Sequence, residues 1–289
     1  MEVIGLERKS IIFHFVSDVF IIGVGGIILL LFRVLGNPHH RGFFCDDQSL
    51  MYPFYESTVP SALMYAVGFI IALLLMCGCE CIRIYRSKDY EQQFSISSGL
   101  ISRHWILVYK VYMAFKPFVY GAVIEHVVTD IGKYSIGRLR PHFFDVCQLN
   151  MNSINCTAGY IEQYTCNGDD SNRIREMRLS FPSGHSSFST YVASYLMIYI
   201  QRRFTFMKYH LIRPCIQTLL FSAAFYTCLS RVTDNKHHHT DVMAGATIGI
   251  VAAVLVAYNV SDLWSNYRSR TSSVMDKHHD VEQSQTSAL

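Results

Sequence analysis

Basic residues, histidines and an aspartate gather in three short segments of this 289-residue chain. Lys133 and Arg140-Pro141 stand in KYSIGRLRP. Pro182, Ser183, Gly184 and His185 stand in FPSGHSSFST. Ser230, Arg231, His237 and Asp241 stand in SRVTDNKHHHTDV. Together these side chains are equipped for phosphoryl transfer. A phosphate monoester dianion needs positive charge around its non-bridging oxygens, because its chemistry is mostly positioning and electrostatics. Lys133, Arg140 and Arg231 supply three cations, and an arginine can hold two oxygens at once. Ser183 and Gly184 follow a proline at a helix start, where backbone N–H groups and the helix dipole favour an anion. Gly184 lets that anion approach the backbone closely. His237 can attack phosphorus and carry it as a phosphohistidine. Asp241, four residues on, can orient the ring from its other nitrogen. His185 can protonate the leaving alkoxide and then deprotonate water. With fixed cations in place, this scheme uses no metal and no cofactor.

These segments need a scaffold that brings distant parts of the chain to one surface. Hydrophobic residues make up 51% of the chain and charged residues 16%, against about a quarter charged in a soluble domain. That deficit points to a membrane protein, and the formal net charge of +3 is too small to suggest nucleic-acid binding. Six apolar stretches, near 11–32, 61–82, 108–131, 186–201, 216–230 and 241–261, reach or approach the ~20 residues that cross a bilayer. The first follows Arg8 and Lys9, is too long for a signal-peptide core and reads as a retained anchor. Arg83, Arg86, Lys88 and Arg103 lie between the second and third stretches. Arg202, Arg203, Lys208 and Arg213 lie between the fourth and fifth, and Arg268, Arg270 and Lys277 follow the sixth. Basic loops stay in the cytosol, which places both termini there. All three chemistry-bearing segments then fall on the extracellular or luminal face.

The loop from about 132 to 185 shares that face despite its own basic residues, and Asn155-Cys156-Thr157 within it is an N-glycosylation acceptor. Cys45, Cys147, Cys156 and Cys166 share an oxidising compartment, so disulfides are expected with their pairing left open. Cys77, Cys79 and Cys81 end the second stretch, as buried helix residues or as palmitoylation sites.

KYSIGRLRP, FPSGHSSF and SRVTDNKHHHTDV resemble the three signature motifs of the type-2 phosphatidate phosphatases, also called lipid phosphate phosphatases. Their wider superfamily includes the vanadium haloperoxidases. The resemblance covers the first stretch through the sixth, including RGFFCDDQSLMYPF. It implies six membrane helices and a magnesium-independent phosphatase acting on phosphatidate, lysophosphatidate, sphingosine 1-phosphate and ceramide 1-phosphate. His237 resembles the family's nucleophile, Asp241 its partner and His185 the acid/base. Lys133, Arg140, Ser183, Gly184 and Arg231 match its phosphate site.

The expected fold is all-α: one six-helix membrane domain over 1–267, followed by a disordered cytosolic tail over 268–289. Its partners are the bilayer and a lipid phosphate, with a homo-oligomer left open, in the plasma membrane or a secretory-pathway membrane. The alternatives are a non-catalytic binder of lipid phosphates and a phosphatase of prenyl diphosphates or sugar phosphates. A metal bound by His237, His238, His239 and Asp241 is disfavoured by the nearby cations. Asp18 reads as a structural contact or a snorkelling carboxylate, and Glu125 and His126 as supports of the site or packing residues. Gly245 and Gly249 form a G-x-x-x-G face for packing within the bundle, with dimerisation as the alternative.

Overall fold

The computed structural model describes residues 2–86, 103–204 and 211–264. Lys88, Lys208, Arg268, Arg270, Lys277 and the expected tail over 268–289 lie outside the described residues. The described chain is mostly helical. Its helices are α1 (Glu2–Leu35), α2 (Ser61–Arg86), α3 (Arg103–Ile136), α4 (Phe143–Cys147), α5 (Ser171–Glu176), α6 (Gly184–Arg203), α7 (Ile212–Thr233) and α8 (His239–Asn259). A two-residue antiparallel pair, Phe43–Phe44 with Tyr160–Ile161, ties the segment after α1 to the loop before α6.

Among the described residues five helices are long and apolar enough to cross a membrane: α1, α2, α3, α7 and α8. The fourth expected span, now α6, is long enough but too polar to qualify. The reason is its position. It packs against α2, α3, α7 and α8 and buries Ser186, Ser187, Phe188, Tyr191, Tyr195, Leu196 and Tyr199. A helix wrapped in protein needs no lipid-compatible surface, so its sequence tolerates hydroxyls. Those hydroxyls are used: Tyr191 donates to the Phe118 carbonyl at 2.7 Å and Thr190 to the Ser186 carbonyl at 2.7 Å.

Phe118 stacks on Tyr191 and meets Tyr195 edge-on at the bundle centre. By contrast, α1 packs chiefly on α3 and exposes most of its apolar side chains. Asp18 joins the two helices, accepting from Lys116 at 2.8 Å and Tyr112 at 2.7 Å. It is the structural contact expected of it, and it neutralises a lysine inside a helix that qualifies as a span. At the bundle end away from the three motifs, Glu80 is buried, held by Arg83 and Tyr199.

Gly245 and Gly249 do serve packing within the bundle. A Cβ on Gly245 would overlap the Ser183 carbonyl, and one on Gly249 the Ser187 carbonyl and Thr190 hydroxyl. Small residues thus let α8 lie directly on α6.

The loop over 137–183 forms a cap with its own core of Phe43, Leu139, Phe143 and Met177. Disulfides Cys45–Cys156 and Cys147–Cys166 staple it, which settles the pairing left open above. Asn155 is exposed on this cap, and its side chain accepts from the Thr157 hydroxyl.

Because the α6–α8 contact has no room for a methyl group, Gly249→Ala is expected to cost roughly 1–3 kcal/mol. A thermal unfolding midpoint equal to the parent's, in the same detergent, would contradict that packing.

Candidate active site

The three motif segments meet at one end of the bundle. The turn between α7 and α8 folds back so that Lys236 N–H and His237 N–H both donate to the Arg231 carbonyl, at 3.0 and 3.2 Å. This hairpin brings Arg231, Lys236 and His237 together. Asn235 takes the left-handed conformation it requires, at φ 53°. The cap supplies Arg140, whose backbone N–H donates to the Met177 carbonyl at 2.8 Å. The end of α3 supplies Lys133, and the start of α6 supplies Gly184 and His185.

A cavity of about 350 Å³ lies between them, lined by Lys133, Arg140, Gly184, His185, Arg231 and His237. Arg173 and Lys236 add two more basic groups to its wall, against Glu56 and Glu176. Arg231 is fully buried and gripped by Asp234 at 2.9 Å. Asp234 in turn holds the backbone and hydroxyl of Thr58 at 2.8 and 2.6 Å. The buried Nε of Arg140 has no hydrogen-bond partner among the described residues. A buried charged donor left unpaired is costly, and an anion in the cavity would satisfy it. A Cβ at Gly184 would sit 3.0 Å from the Lys133 ammonium, so any side chain there would press on that lysine.

His237 is buried, and its Nδ1 lies 2.7 Å from the Ser180 carbonyl. A carbonyl can only accept, so Nδ1 carries the proton and Nε2 keeps its lone pair. Burial, followed by the nearby Arg140 charge, holds the His237 pKa well below the usual histidine range. The ring is therefore neutral at physiological pH. His185 places Nε2 3.1 Å from the Val59 carbonyl, which by the same logic leaves Nδ1 to take up a proton.

Two expectations need correction. Asp241 does not reach His237. Its carboxylate instead caps α8 through the His238 backbone at 3.0 Å and accepts from the Ser180 hydroxyl at 2.6 Å and from Arg138. As the third residue of its helix, it is turned back toward the helix start, whereas His237 precedes the cap residue His238. Asp241 thus acts on His237 only through Ser180. Ser183 likewise offers no N–H to the cavity, because that group donates to the Asp241 carbonyl at 3.0 Å. Its hydroxyl caps α6 by accepting from the Ser186 N–H.

Sequence reasoning missed several wall residues. Lys236 stacks its ammonium 3.5 Å over the Phe54 ring, and Arg173 lies 4.5 Å from the same ring. Burial, then Arg140, lowers the Lys236 pKa to about 8. His142 is buried and bonded to the Asn235 carbonyl at 2.7 Å, with its pKa lowered to about 3 by burial. Lys236 lies inside the third motif segment and His142 directly follows the first, which was the available signal. Phe54 ends the quoted segment RGFFCDDQSLMYPF, and Arg173 lies in the short cap helix α5, where no motif marked it. Glu125 and His126 do support the site: Tyr65, which lines the cavity, pairs with His126 at 2.7 Å, and His126 with the buried Glu125 at 3.2 Å.

Comparison with known proteins adds an independent line. The PAP2 superfamily model matches residues 105–265. A Drosophila melanogaster protein provisionally named a phosphatidate phosphatase is 41% identical over 89% of this chain and 71% of its own. Phospholipid phosphatase 1 of Rattus norvegicus is 37% identical over 92% of this chain and 91% of its own. Phospholipid phosphatase 2 of the same species is 34% identical over 90% of each. No solved structure matches.

The geometry predicts that inorganic phosphate stabilises the protein against heat. Arg140→Leu should weaken phosphate affinity on the order of 10–100-fold, from the loss of charge-assisted hydrogen bonds. An unchanged phosphate dependence of the melting temperature would remove Arg140 from the anion site.

Proposed function

Because the chain belongs to the PAP2 superfamily, we propose that it is a membrane-embedded phosphatase that hydrolyses lipid phosphate monoesters through a phosphohistidine on His237. One observation carries the mechanism. The Ser180 carbonyl fixes the His237 proton on Nδ1, so a neutral ring with a lone pair on Nε2 borders a cation-lined cavity.

The steps follow from that arrangement. Lys133, Arg140, Arg231 and Lys236 hold the phosphate oxygens, aided by the amides at the start of α6. His237 Nε2 attacks phosphorus as the bond to the lipid oxygen breaks, and protonated His185 delivers its proton to that oxygen. The incoming phosphate dianion favours the protonated form of His185. Neutral His185 then takes a proton from water, the water oxygen attacks phosphorus, and the phosphorus–nitrogen bond breaks. Inorganic phosphate leaves, and both histidines regain their starting states. Asp241 serves as a positioning residue, keeping Ser180 where its carbonyl must be.

The names of the relatives support phosphatidate and other phospholipid monoesters as substrates, with lysophosphatidate, sphingosine 1-phosphate and ceramide 1-phosphate in the same chemical class. On this reading the chain has six spans, α6 among them, and cytosolic termini, and the cavity opens on the extracellular or luminal side. Two disulfides and the exposed Asn155 on the cap support that side, since disulfides persist in oxidising compartments. Hydrolysis there converts an anionic headgroup into a neutral alcohol.

Phosphate release from short-chain phosphatidate in detergent with EDTA tests the reading, and His237→Ala should lose at least about a thousandfold of it. With nitrophenyl phosphate, whose leaving group needs no acid, His185→Ala should accumulate an acid-labile, base-stable phosphoenzyme. Full activity in His237→Ala, or activity only with added metal, would overturn the mechanism. The pH profile offers a separate check. Lys236, with a pKa of about 8, is a cation below that pH and neutral above it. We expect kcat/KM to fall above about pH 8 and Lys236→Arg to move that limb upward; an identical limb in the variant would take Lys236 out of the phosphate site.

A further inference from the structure

Below the cation-lined cavity, a chain of polar groups joins α2 to α3, and the phosphoryl-transfer steps leave it unused. Glu125 is fully buried. One of its carboxylate oxygens accepts from the Thr129 hydroxyl and the other lies by Nδ1 of His126, both at 3.2 Å. Nε2 of the same ring meets the Tyr65 hydroxyl at 2.7 Å. Tyr65 is the member of this chain that lines the cavity. A buried carboxylate is costly, and an apolar pair would join the two helices for less, so packing alone does not account for it. A carboxylate, a histidine and a hydroxyl in series do hold that hydroxyl in one place.

Tyr65 lies on the side of the cavity where the alcohol portion of an ester belongs. It follows Ser61 by four residues on α2, hence on the same face and about 6 Å deeper. Ser61 places its hydroxyl 3.5 Å from Nε2 of His185, the proposed proton donor to the leaving oxygen. On α3, His126 precedes Lys133 by seven residues, or about 10 Å. The Tyr65 hydroxyl is thus set below the cations and past His185, where an ester extends away from its phosphate. Leu63 and Val67, two residues to either side, point elsewhere. With Phe188 and Ser189 of α6 and Ala223 of α7 they line a separate apolar groove of about 210 Å³.

What the hydroxyl can bind follows from its partner. With Nε2 bare, the ring accepts the tyrosine's proton, and the tyrosine oxygen offers a lone pair to the cavity. With Nε2 protonated, the tyrosine oxygen accepts from it and turns its own O–H to the cavity. A hydroxyl group fits either arrangement, because it both donates and accepts.

We propose that Tyr65 binds a hydroxyl on the alcohol portion of the substrate, on the carbon next to the one that carries the phosphate. The enzyme thereby prefers hydroxylated phosphate esters to plain alkyl ones. The inference rests on the cavity being the phosphate site. Tyr65 determines specificity in this scheme, while His126 and Glu125 position it. A methylene at that place on the ester leaves the tyrosine without a partner, whereas a hydroxyl supplies one. A single neutral hydrogen bond of this kind corresponds to roughly three- to tenfold in kcat/KM.

The test compares butyl phosphate with 2-hydroxybutyl phosphate as substrates of the parent, Tyr65→Phe and His126→Leu. In the parent, the hydroxylated ester should exceed the plain one in kcat/KM by about fivefold. In Tyr65→Phe the ratio should fall to within about twofold of unity, and His126→Leu should lower it likewise. Combining the two substitutions should lower it no further, since His126 acts only through Tyr65. A ratio near unity in the parent, or one that survives in Tyr65→Phe, would overturn the proposal. An equal loss on both esters would do so too, by placing Tyr65 at the phosphate itself. Butylphosphonate and 2-hydroxybutylphosphonate, which cannot be hydrolysed, separate this inference from the mechanism. Stronger thermal stabilisation by the hydroxylated phosphonate in the parent, lost in Tyr65→Phe, would support the tyrosine's role even where no ester is cleaved.

Discussion

At the crossing between the cap and the start of α8, Ser180 makes two bonds in opposite directions. Its carbonyl accepts the proton of His237 Nδ1, and its hydroxyl donates to Asp241. The other oxygen contacts of Asp241 cap α8 and bind Arg138, while its backbone carbonyl takes the Ser183 N–H at the start of α6. Three elements, the cap, α6 and α8, are thus registered on one buried aspartate. The tautomer of His237, the entry angle of α6 and the position of Gly184 follow from that registration. Gly245 and Gly249 keep it possible, because any larger residue would hold α8 away from α6.

Around this knot the fold concentrates like charge, which opposes folding until counterions are found. The protein solves this unevenly. Arg231 and Lys133 each have an aspartate three residues away on the same chain. Arg173 has Glu56 and Asp170, and Lys236 lies against the face of Phe54. Arg140 has a buried Nε left over. Burial, reinforced by the repulsion that remains, lowers the Lys236 pKa and keeps His237 neutral. Neutrality suits a nucleophile, and unspent cationic charge suits an anion site, so one electrostatic imbalance serves both halves of the chemistry.

How much of this could be read from sequence depended on whether the information was local. The motifs pointed to Lys133, Arg140, Gly184, His185, Arg231 and His237, which the fold brings to one cavity because each sits at a helix end or tight turn whose position is set by its neighbours. Asp241 misled, since a spacing of four suggests a direct contact with His237, yet the carboxylate is claimed by the helix cap and by Ser180, a residue 61 positions away. Ser183 misled for the same reason. The disulfide pairing depends on how the cap folds, which no periodicity records. Phe54 reaches the cavity from a loop and Arg173 from the six-residue helix α5, both too short and irregular for a repeating pattern.

The polarity of α6 has the same origin. Measured against lipid it is a poor span, and measured against its neighbours it is the best buried helix of the bundle. Its first turn carries Gly184 and His185 into the cation-lined cavity, its second presents Phe188 and Ser189 to the apolar groove, and its middle packs Tyr191 and Tyr195 on Phe118. Successive turns of one rigid element therefore face an anion site, an apolar groove and the core. A helix exposed to lipid, such as α1, can be uniformly apolar because it faces one solvent. A helix that faces a polar cavity, an apolar groove and the core cannot be, and the protein shields it by surrounding it with helices that are.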